Sequence, residues 1–526
     1  MDRVEGQPAT SANGASSTVT TRPRRREPLV AAAVDATIEA AADAAIDAAV
    51  DAVDVAAGAA SGAAGSLTTS PAEAEPEARP RGSKMLGGHP AKPLILLSGV
   101  TLVDQIDTSI LRGVLPLVKE DFGMSDLQGG ALGFAFVFVN AIASIPAGWV
   151  ADRVKRTRLI GWTLLSWSVL SVFSGLARSF TQLFAARASL GFGQAIDDPA
   201  SSSLLADEYP ANVRGKVFSV QQVTTFVGGG LGVGLGGLVG ALWGWQWAFV
   251  IVGVPGSLLA FAVFRMQEPK RGAADGIEIA EPEPMPFREM VKEARVTLVR
   301  DLRMILGIRT MRYILVGVSA MLFTVSGVGY WLTDYHHRYS GMSEEVAAGV
   351  AGAILAIAGI IGTIWGGRRA DRAHDVSPAA RINLVSNGVL TCLFLFTGSL
   401  LVPIVPVRLL MQFVGVLAAA SAIPGLRASM MDVTPVHARG VSVSAFALVS
   451  TVLGTALAPL LVGAISDATG SLVAAFFLVM PPVIVGTLLL RRAKSTIVED
   501  AAAIFTSMAE AAAAAEGGTD GSAAAS

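Results

Sequence analysis

Long apolar runs alternate with short polar segments between residues 93 and 491. A helix needs about 20 mainly apolar residues to cross the hydrocarbon core of a bilayer, and each run has about that length. We therefore predict an all-α membrane protein with twelve transmembrane helices. The predicted spans are 93–116, 128–150, 157–177, 180–206, 215–241 and 246–265 in the first half, and 312–333, 345–369, 380–401, 404–430, 440–466 and 471–491 in the second.

The composition agrees with a membrane protein. Of the 526 residues, 52% are hydrophobic and 16% are charged, whereas soluble domains carry about 25% charged residues. The net charge of −2 gives no reason to expect a nucleic-acid partner. The single cysteine, Cys392, lies in an apolar run, so no intrachain disulfide is expected.

The segments that flank and connect the two sets of spans differ from them in composition. Residues 1–90 are rich in Ala with acidic residues at every fourth position over part of their length, and residues 492–526 end in a Gly/Ala/Ser run. Both have little apolar surface to bury, so we predict disordered cytoplasmic tails, with an amphipathic partner-binding helix as the alternative for the first. The six-helix bundles cover 91–265 and 312–491. The connection 266–311 is predicted to be a cytoplasmic linker with an amphipathic helix on the membrane surface.

Lys and Arg are concentrated in alternate connections between the spans. Examples are the segments 153–158, 368–372 and 491–494. Connections rich in Lys and Arg face the cytoplasm. We therefore predict a multi-pass protein of the cell membrane with both termini in the cytoplasm.

Two motifs occur once in each half. The sequence GWVADR at 148–153 recurs as GRRADR at 367–372, and the segment 207–215 recurs at 432–440 with its Asp, Pro, Arg and Gly in place. Each copy lies at the equivalent boundary of its half, after the second or the fourth span. Two related six-helix halves are typical of carriers in which the halves rock and open a central cavity to either side in turn.

The fifth span carries a ladder of glycines. Gly228, Gly232, Gly236 and Gly240 recur at every fourth position. This spacing places them on one face of a helix and predicts the close approach of another helix.

The sequence GWVADRVKR resembles the signature of the major facilitator superfamily, and the resemblance extends over about residues 93–491. It implies that Asp152 lies near the N-terminus of the helix starting at Arg439 and that Arg153 pairs with Asp207. A carboxylate at a helix N-terminus gains roughly 0.3–1 kcal/mol, so these contacts would latch the cytoplasmic side shut. The predicted latch residues are Asp152, Arg153, Asp207, Arg214, Asp371, Arg372, Asp432 and Arg439. The alternative is that these charges only anchor loops and set the topology.

Charged side chains inside the spans are the candidate functional residues, because each costs roughly 2.5–3.5 kcal/mol near mid-bilayer. They are Asp104, Asp107 and Arg112 in the first span and Arg187, Asp197 and Asp198 in the fourth. A continuous helix would place Arg187, Gln194 and Asp198 on one face, with Asp197 turned away. We predict that Asp107 pairs with Arg187 and that proton binding to Asp107 releases the arginine. A fixed salt bridge that stabilises the first bundle is the alternative. The predicted substrate and proton-coupling residues are Asp107, Arg187, Gln194, Asp104 and Asp198.

Three stretches resemble the Spinster branch of the same superfamily, whose members move sphingolipids and lysophospholipids. They are DTSILRGVLP from Asp107, RASLGFGQA from Arg187, and WQWAF from Trp245 followed by Glu268-Pro269. The resemblance implies a proton-linked lipid carrier with Asp107 and Arg187 at its polar centre. Two positions depart from it, with Thr108 where the branch has arginine and Gln194 where it has glutamate. Coupling then runs through Asp107 alone, or Asp198 takes over, or transport is not proton-driven.

We therefore expect a secondary transporter that moves an amphipathic organic solute. The most specific version of this prediction is a lysophospholipid-like lipid. The seventh-span residues Phe323, Tyr330 and Trp331 favour an apolar cavity wall. The alternatives are a multidrug or metabolite exporter and a membrane receptor or scaffold that does not transport. Expected partners are the solute, membrane lipids and protons. No nucleophile–base pair, metal cluster or phosphate-binding loop stands out, so neither an enzyme nor a cofactor is expected.

Overall fold

The computed structural model describes part of the chain. The described residues are 86, 88–271, 273–275, 305–434 and 446–520, with a few single positions in the connection between the halves. They form helices joined by short turns and bends. The tail 1–85, most of the predicted amphipathic helix and Arg439 lie outside this part of the chain.

Each of the twelve predicted spans is mainly helical over its described residues. The first-half helices are Lys92–Phe122, Asp126–Arg153, Arg156–Gly175, Phe180–Gln194 with Asp197–Glu208, Ala211–Trp243 and Trp245–Phe264. The second-half helices are Arg309–Ser340, Glu344–Ala353 with Gly359–Val376, Pro378–Leu401, Val405–Asp432, Phe446–Thr469, and Leu472–Leu478 with Pro481–Asp520. Among the described residues, 10 helices are individually long and apolar enough to cross a membrane. Two spans do not meet this criterion: the third, which is rich in serine, and the fourth, which is broken into two shorter helices.

Turns with well-defined caps connect the spans on one side of the molecule, which we call the outer side. The first, seventh and eleventh spans end at Gly123, Gly341 and Gly470, whose φ angles of 59°, 64° and 67° lie in the left-handed region that favours glycine. Ser125 opens the second span with a capping box. Its hydroxyl accepts a hydrogen bond from the Gln128 N–H, and the Gln128 side chain accepts one from the Ser125 N–H. The opposite side, where the first span begins, is the inner side.

The fourth span is broken in the middle, and the prediction of one continuous helix is wrong there. One helix ends at Gln194 and the next begins at Asp197. Pro199 is tolerated in the first turn of the second helix, but its ring would clash with the last turn of a continuous helix. Asp197 and Asp198 lie in that same first turn, where carboxylates interact favourably with the helix dipole. The break removes the basis for placing Asp198 on the same face as Arg187.

The twelfth span continues beyond its predicted end. The helix Pro481–Asp520 runs through residues that we predicted to be a disordered tail from position 492. Ile497 is fully buried, and the Asp500 carboxylate accepts a hydrogen bond of 2.8 Å from the Thr310 N–H. The extension therefore packs on the start of the seventh span, and the predicted boundary is wrong. Alanine has the highest helix propensity, and the Ala-rich sequence extends a helix that is already formed.

The glycine ladder of the fifth span packs against the first span, as its spacing predicts. A Cβ atom added to Gly232 would lie 2.5 Å from the Ile106 carbonyl oxygen, and one added to Gly236 would lie 2.7 Å from the Ile110 carbonyl oxygen. Only glycine allows this approach, so the ladder fixes the first and fifth spans together within the first half.

The two halves meet closely near the outer side. Gly237 of the fifth span lies against Ala348 of the eighth, and Gly463 of the eleventh lies against the Asp126 backbone at the start of the second. These contacts join spans of different halves next to the outer turns. The outer side is therefore the closed side of this conformation.

Candidate functional site

A polar cluster joins the first and fourth spans inside the first half. Asp107, Arg187 and Gln194 are 0%, 1% and 5% exposed. One guanidinium nitrogen of Arg187, Nη1, lies 3.6 Å from the Asp107 Oδ2 atom and donates to the Asp107 carbonyl oxygen at 3.4 Å. The Gln194 amide donates to Asp107 Oδ2 at 3.4 Å, and the Ser171 hydroxyl donates to Oδ1. The predicted contact between Asp107 and Arg187 is therefore present, with Ser171 as a partner that the sequence analysis missed.

The Arg187 guanidinium is only partly satisfied. Its Cζ atom lies 4.3 Å from the centre of the Phe249 ring, which covers one face of the group. Two of its nitrogens, Nε and Nη2, are buried without a hydrogen-bond partner among the described residues. Most buried polar groups in proteins are paired, so these two nitrogens are available to another group.

The two positions that depart from the Spinster pattern contact each other. The Thr108 hydroxyl donates to the Gln194 side-chain oxygen at 3.2 Å. An arginine at 108 and a glutamate at 194 would be an ion pair in the same place. Thr108 and Gln194 together therefore replace a charged pair with a neutral pair. The net charge of the cluster stays the same, because one positive and one negative charge are lost together.

The other acidic candidates make no hydrogen bond with the cluster among the described residues, although Asp104 lies close enough to Asp107 for electrostatic repulsion. Asp104 accepts a hydrogen bond of 3.0 Å from the neighbouring Gln105 side chain. Asp198 lies beyond the break in the fourth span, is exposed, and is close enough to Arg427 of the second half for an electrostatic interaction. Asp197 is buried and accepts from the Ser201 hydroxyl at 3.0 Å. The structure therefore joins three of the five predicted residues by direct contacts, whereas Asp104 lies near Asp107 without a hydrogen bond to it and Asp198 lies beyond the break.

A small cavity lies beside the cluster, between the two halves. Its volume is about 20 Å³, which is room for one or two water molecules. It is lined by Thr108, Leu111, Arg112, Gly133, Phe136, Val137, Arg187, Ser326, Tyr330 and Pro459. Of the three predicted aromatic residues, Tyr330 lines this cavity and donates a hydrogen bond of 2.8 Å to the Gly129 carbonyl. Trp331 is fully buried and Phe323 packs in the core beside it, so these two serve packing.

The predicted latch on the inner side is only partly described. The Asp207 carboxylate accepts from Arg156, a buried residue that the sequence analysis passed over. Arg214 donates to the carbonyl oxygens of Tyr209 and Ala206, at 3.2 Å and 2.7 Å. Arg372 is exposed at the inner end of the eighth span. The side chains of Asp152, Arg153, Asp371, Asp432 and Arg439 lie outside the described part, so their contacts stay a prediction.

Arg156 also holds the connection that follows the sixth span. Its Nε atom donates to Glu268 at 2.9 Å, and the Thr157 N–H donates to the same carboxylate at 2.8 Å. Burial alone would raise the pKa of the Glu268 carboxyl, but the hydrogen bonds from Thr157 and Arg156 outweigh it and lower that pKa.

A second group of charges, on the outer side, was not anticipated by the sequence analysis. We call Lys119, Asp126, Asp334, Arg338 and Asp467 the outer charged cluster. Arg338 donates to the two Asp126 carboxylate oxygens at 2.6 Å and 3.0 Å, and Lys119 lies 3.2 Å from Asp334. Asp467 accepts from the Asp126 N–H at 2.9 Å and so caps the second span. Each of these contacts crosses from one half to the other, and together they hold the outer side closed.

Metal binding has no support among the described residues, where no group of three His, Cys, Asp or Glu side chains could hold an ion.

Comparison with known proteins gives consistent matches. The family model described as Major Facilitator Superfamily matches residues 97–452. Protein spinster homolog 3 of Homo sapiens is 26% identical over 398 residues, covering 71% of this chain and 74% of the relative. The sphingosine-1-phosphate transporter SPNS2 of Mus musculus is 24% identical over 396 residues, covering 71% and 69%. The probable galactarate/D-glucarate transporter GudP of Escherichia coli is 24% identical over 413 residues, covering 73% and 88%.

A solved structure has the same fold. It is the crystal structure of a bacterial homolog of the human lysosomal transporter Spinster, and it matches with a TM-score of 0.67 at 22% identity. The match covers 78% of this chain and 97% of the solved chain.

Proposed function

The chain belongs to the major facilitator superfamily and is related to the Spinster transporters, and from that premise we propose that it carries a single-chain, lysophospholipid-like lipid across the membrane by alternating access. The observation that carries the proposal is the buried cluster of Asp107, Arg187 and Gln194 beside a cavity between the halves. A mainly apolar lining with a few convergent polar groups suits an amphipathic ligand. The similarity to a sphingosine-1-phosphate transporter supports a lipid of this kind.

We infer that the described conformation faces inward. The outer charged cluster and the glycine contacts join the halves on the outer side. Asp198 and Arg427 are exposed although each lies within a span, which supports access from the inner side. In the proposed cycle the outer contacts break when the halves rock, and the cavity then opens outward.

Asp107 is the proposed proton carrier. Its ionised carboxylate compensates the buried Arg187 charge at 3.6 Å. Proton binding removes this compensation, and an uncompensated buried charge is strongly unfavourable, by about 3–5 kcal/mol when one partner of a buried pair is lost. The first bundle then relaxes by moving Arg187 toward water or an anion. Gln194 cannot titrate, so Asp107 is the group in this cluster that can bind the proton.

A carrier of a small organic acid is the second candidate. Two arginines, Arg112 and Arg187, line the cavity, and one relative is named as a galactarate/D-glucarate transporter. The same two arginines disfavour export of drug cations, which would be repelled. The tail that a receptor or scaffold would use lies outside the described residues.

Lysophospholipid flux in proteoliposomes tests the proposal. Wild-type protein is compared with Asp107→Asn and with the matched variant Asp198→Asn, with and without a pH gradient. We expect gradient-driven flux in the wild type and in Asp198→Asn, and flux at the level of protein-free vesicles in Asp107→Asn. Loss of coupling in Asp198→Asn alone would move the proton site there, and no lysophospholipid flux in the wild type would contradict the lipid substrate.

A further inference from the structure

Arg112 is a charged residue within a span that the proposed proton step does not use. It lies one helical turn beyond Thr108 toward the outer side and lines the cavity with Arg187 and Tyr330. Within the described part of the chain it has no ion pair or hydrogen bond, and only the Tyr330 hydroxyl interacts with it electrostatically. An arginine at this depth costs roughly 2.5–3.5 kcal/mol on insertion scales, so its presence without a partner points to a ligand.

The cavity holds more positive than negative charge. Of its 10 lining residues, two are arginines and none is acidic. The nearby Asp107 carboxylate is already engaged by Arg187, Ser171 and Gln194. The Arg187 nitrogens Nε and Nη2 are buried and unpaired among the described residues, which leaves further donors on this wall. The cavity is therefore suited to an anion.

We propose that Arg112 binds the anionic group of the transported solute, a phosphate or carboxylate, with the Tyr330 hydroxyl as a second donor from the other half once the halves separate and its hydrogen bond to the Gly129 carbonyl of the first half breaks. The planar guanidinium of arginine matches both groups with two parallel hydrogen bonds. This inference deepens the proposed function, because it takes the cavity between the halves as the path of the solute.

The position of the site fits a role in the transport cycle. Arg112 belongs to the first half, whereas Tyr330 and Ser326 belong to the second. An anion bound between them would bridge the halves. The cavity of about 20 Å³ is too small for a phosphate together with its substituent, so the solute binds here only when the halves have moved apart.

Thermal stabilisation of the purified full-length protein by a matched set of probes tests this inference. Oleoyl lysophosphatidic acid and monoolein share one acyl chain and differ by the phosphate, and glycerol 3-phosphate is that head group alone. We expect lysophosphatidic acid to bind the wild type at least about tenfold more tightly than monoolein, since a hydrogen bond to a charged group contributes on that order. Arg112→Gln should abolish this preference and Arg112→Lys should retain part of it. Arg178→Gln, which removes an exposed arginine outside the cavity, should leave it unchanged.

The outcomes separate this inference from the proposed function. Equal binding of lysophosphatidic acid and monoolein would overturn the anion site and leave a lipid carrier. Binding of glycerol 3-phosphate that depends on Arg112, without binding of either lipid, would support the anion site and contradict the lipid substrate. A head-group preference that persists in a folded Arg112→Gln protein would overturn the role of Arg112, and the Arg112→Lys variant reports the same dependence if the glutamine variant does not fold.

Discussion

Thr108 and Gln194 are 86 residues apart in the sequence and share a hydrogen bond of 3.2 Å beside Asp107. Each departs from the Spinster pattern, and taken singly each weakens the resemblance. Their contact gives a physical reason for the joint change, because an arginine at 108 without an acidic partner would place a second cation near Arg187. The neutral pair keeps Asp107 as the counter-charge of Arg187.

An arginine at 108 and a glutamate at 194, restored together, should stabilise each other. Thr108→Arg alone should lower the free energy of unfolding by about 3–5 kcal/mol, the cost of an uncompensated buried charge. Adding Gln194→Glu should recover most of that loss, whereas Gln194→Glu alone should also destabilise. Thermal unfolding of the three variants in detergent measures the coupling, and strictly additive effects would show that the two side chains do not interact.

The central pair of side chains could be predicted from the sequence, but not all of its surroundings. Asp107 and Arg187 stand out because charges are rare in apolar runs. The prediction that Asp198 shares a face with Arg187 assumed a continuous helix, and the break between Gln194 and Asp197 removes that basis. The outer charged cluster was not predicted because charged residues at the ends of spans are usually interpreted as topology anchors. Lys119 and Asp334 are also 215 positions apart in the sequence, so their contact cannot be inferred from sequence spacing.

At the scale of elements, the fifth span is positioned by its glycines. They bring its backbone against the first span, which carries Asp107, Thr108 and Arg112. Any separation of these two helices would move the site residues. The ladder is therefore part of the support of the site.

Gly232→Ala and Gly215→Ala provide a matched test of this support, because both glycines lie in the helix Ala211–Trp243. The Gly232 methyl would lie 2.5 Å from the Ile106 carbonyl oxygen, whereas the Gly215 methyl would meet nothing within 4 Å. We expect Gly232→Ala to lower the free energy of unfolding by roughly 1–3 kcal/mol through overpacking. Gly215→Ala should be neutral or stabilising by up to about 1 kcal/mol through helix propensity. Equal melting temperatures for the two variants would contradict this account of the ladder.

Hydropathy was sufficient to locate the spans, because about 20 apolar residues can reside stably only in a membrane-spanning helix or a large core. It was not sufficient to locate where helices end or break. The helix Pro481–Asp520 continues because alanine favours helix and because Ile497 and Asp500 contact the seventh span, and only the tertiary structure shows those contacts.

At the scale of the whole molecule, contacts between the halves are polarised toward the outer side. The outer charged cluster includes charge-assisted hydrogen bonds between Arg338 and Asp126 and a helix cap by Asp467. Such contacts form or break as a unit when two rigid bodies rock. Asp107 and Arg187 lie within one half and apart from these contacts, so the proposed proton site and the outer charged cluster are separate. In the proposed cycle the first half connects the two.

The measurement that tests this account most directly is the distance between spin labels at Leu176 and Leu401, with Cys392 replaced. Both positions are exposed, and they lie at the outer ends of the third and ninth spans, one in each half. The account predicts a distance distribution that shifts between low and high pH in the wild type. In Asp107→Asn the distribution should not depend on pH and should match that of the wild type at low pH. Two results would contradict a carrier whose halves are moved by proton binding at Asp107. One is a wild-type distance distribution that does not depend on pH, and the other is an Asp107→Asn distribution that still depends on pH.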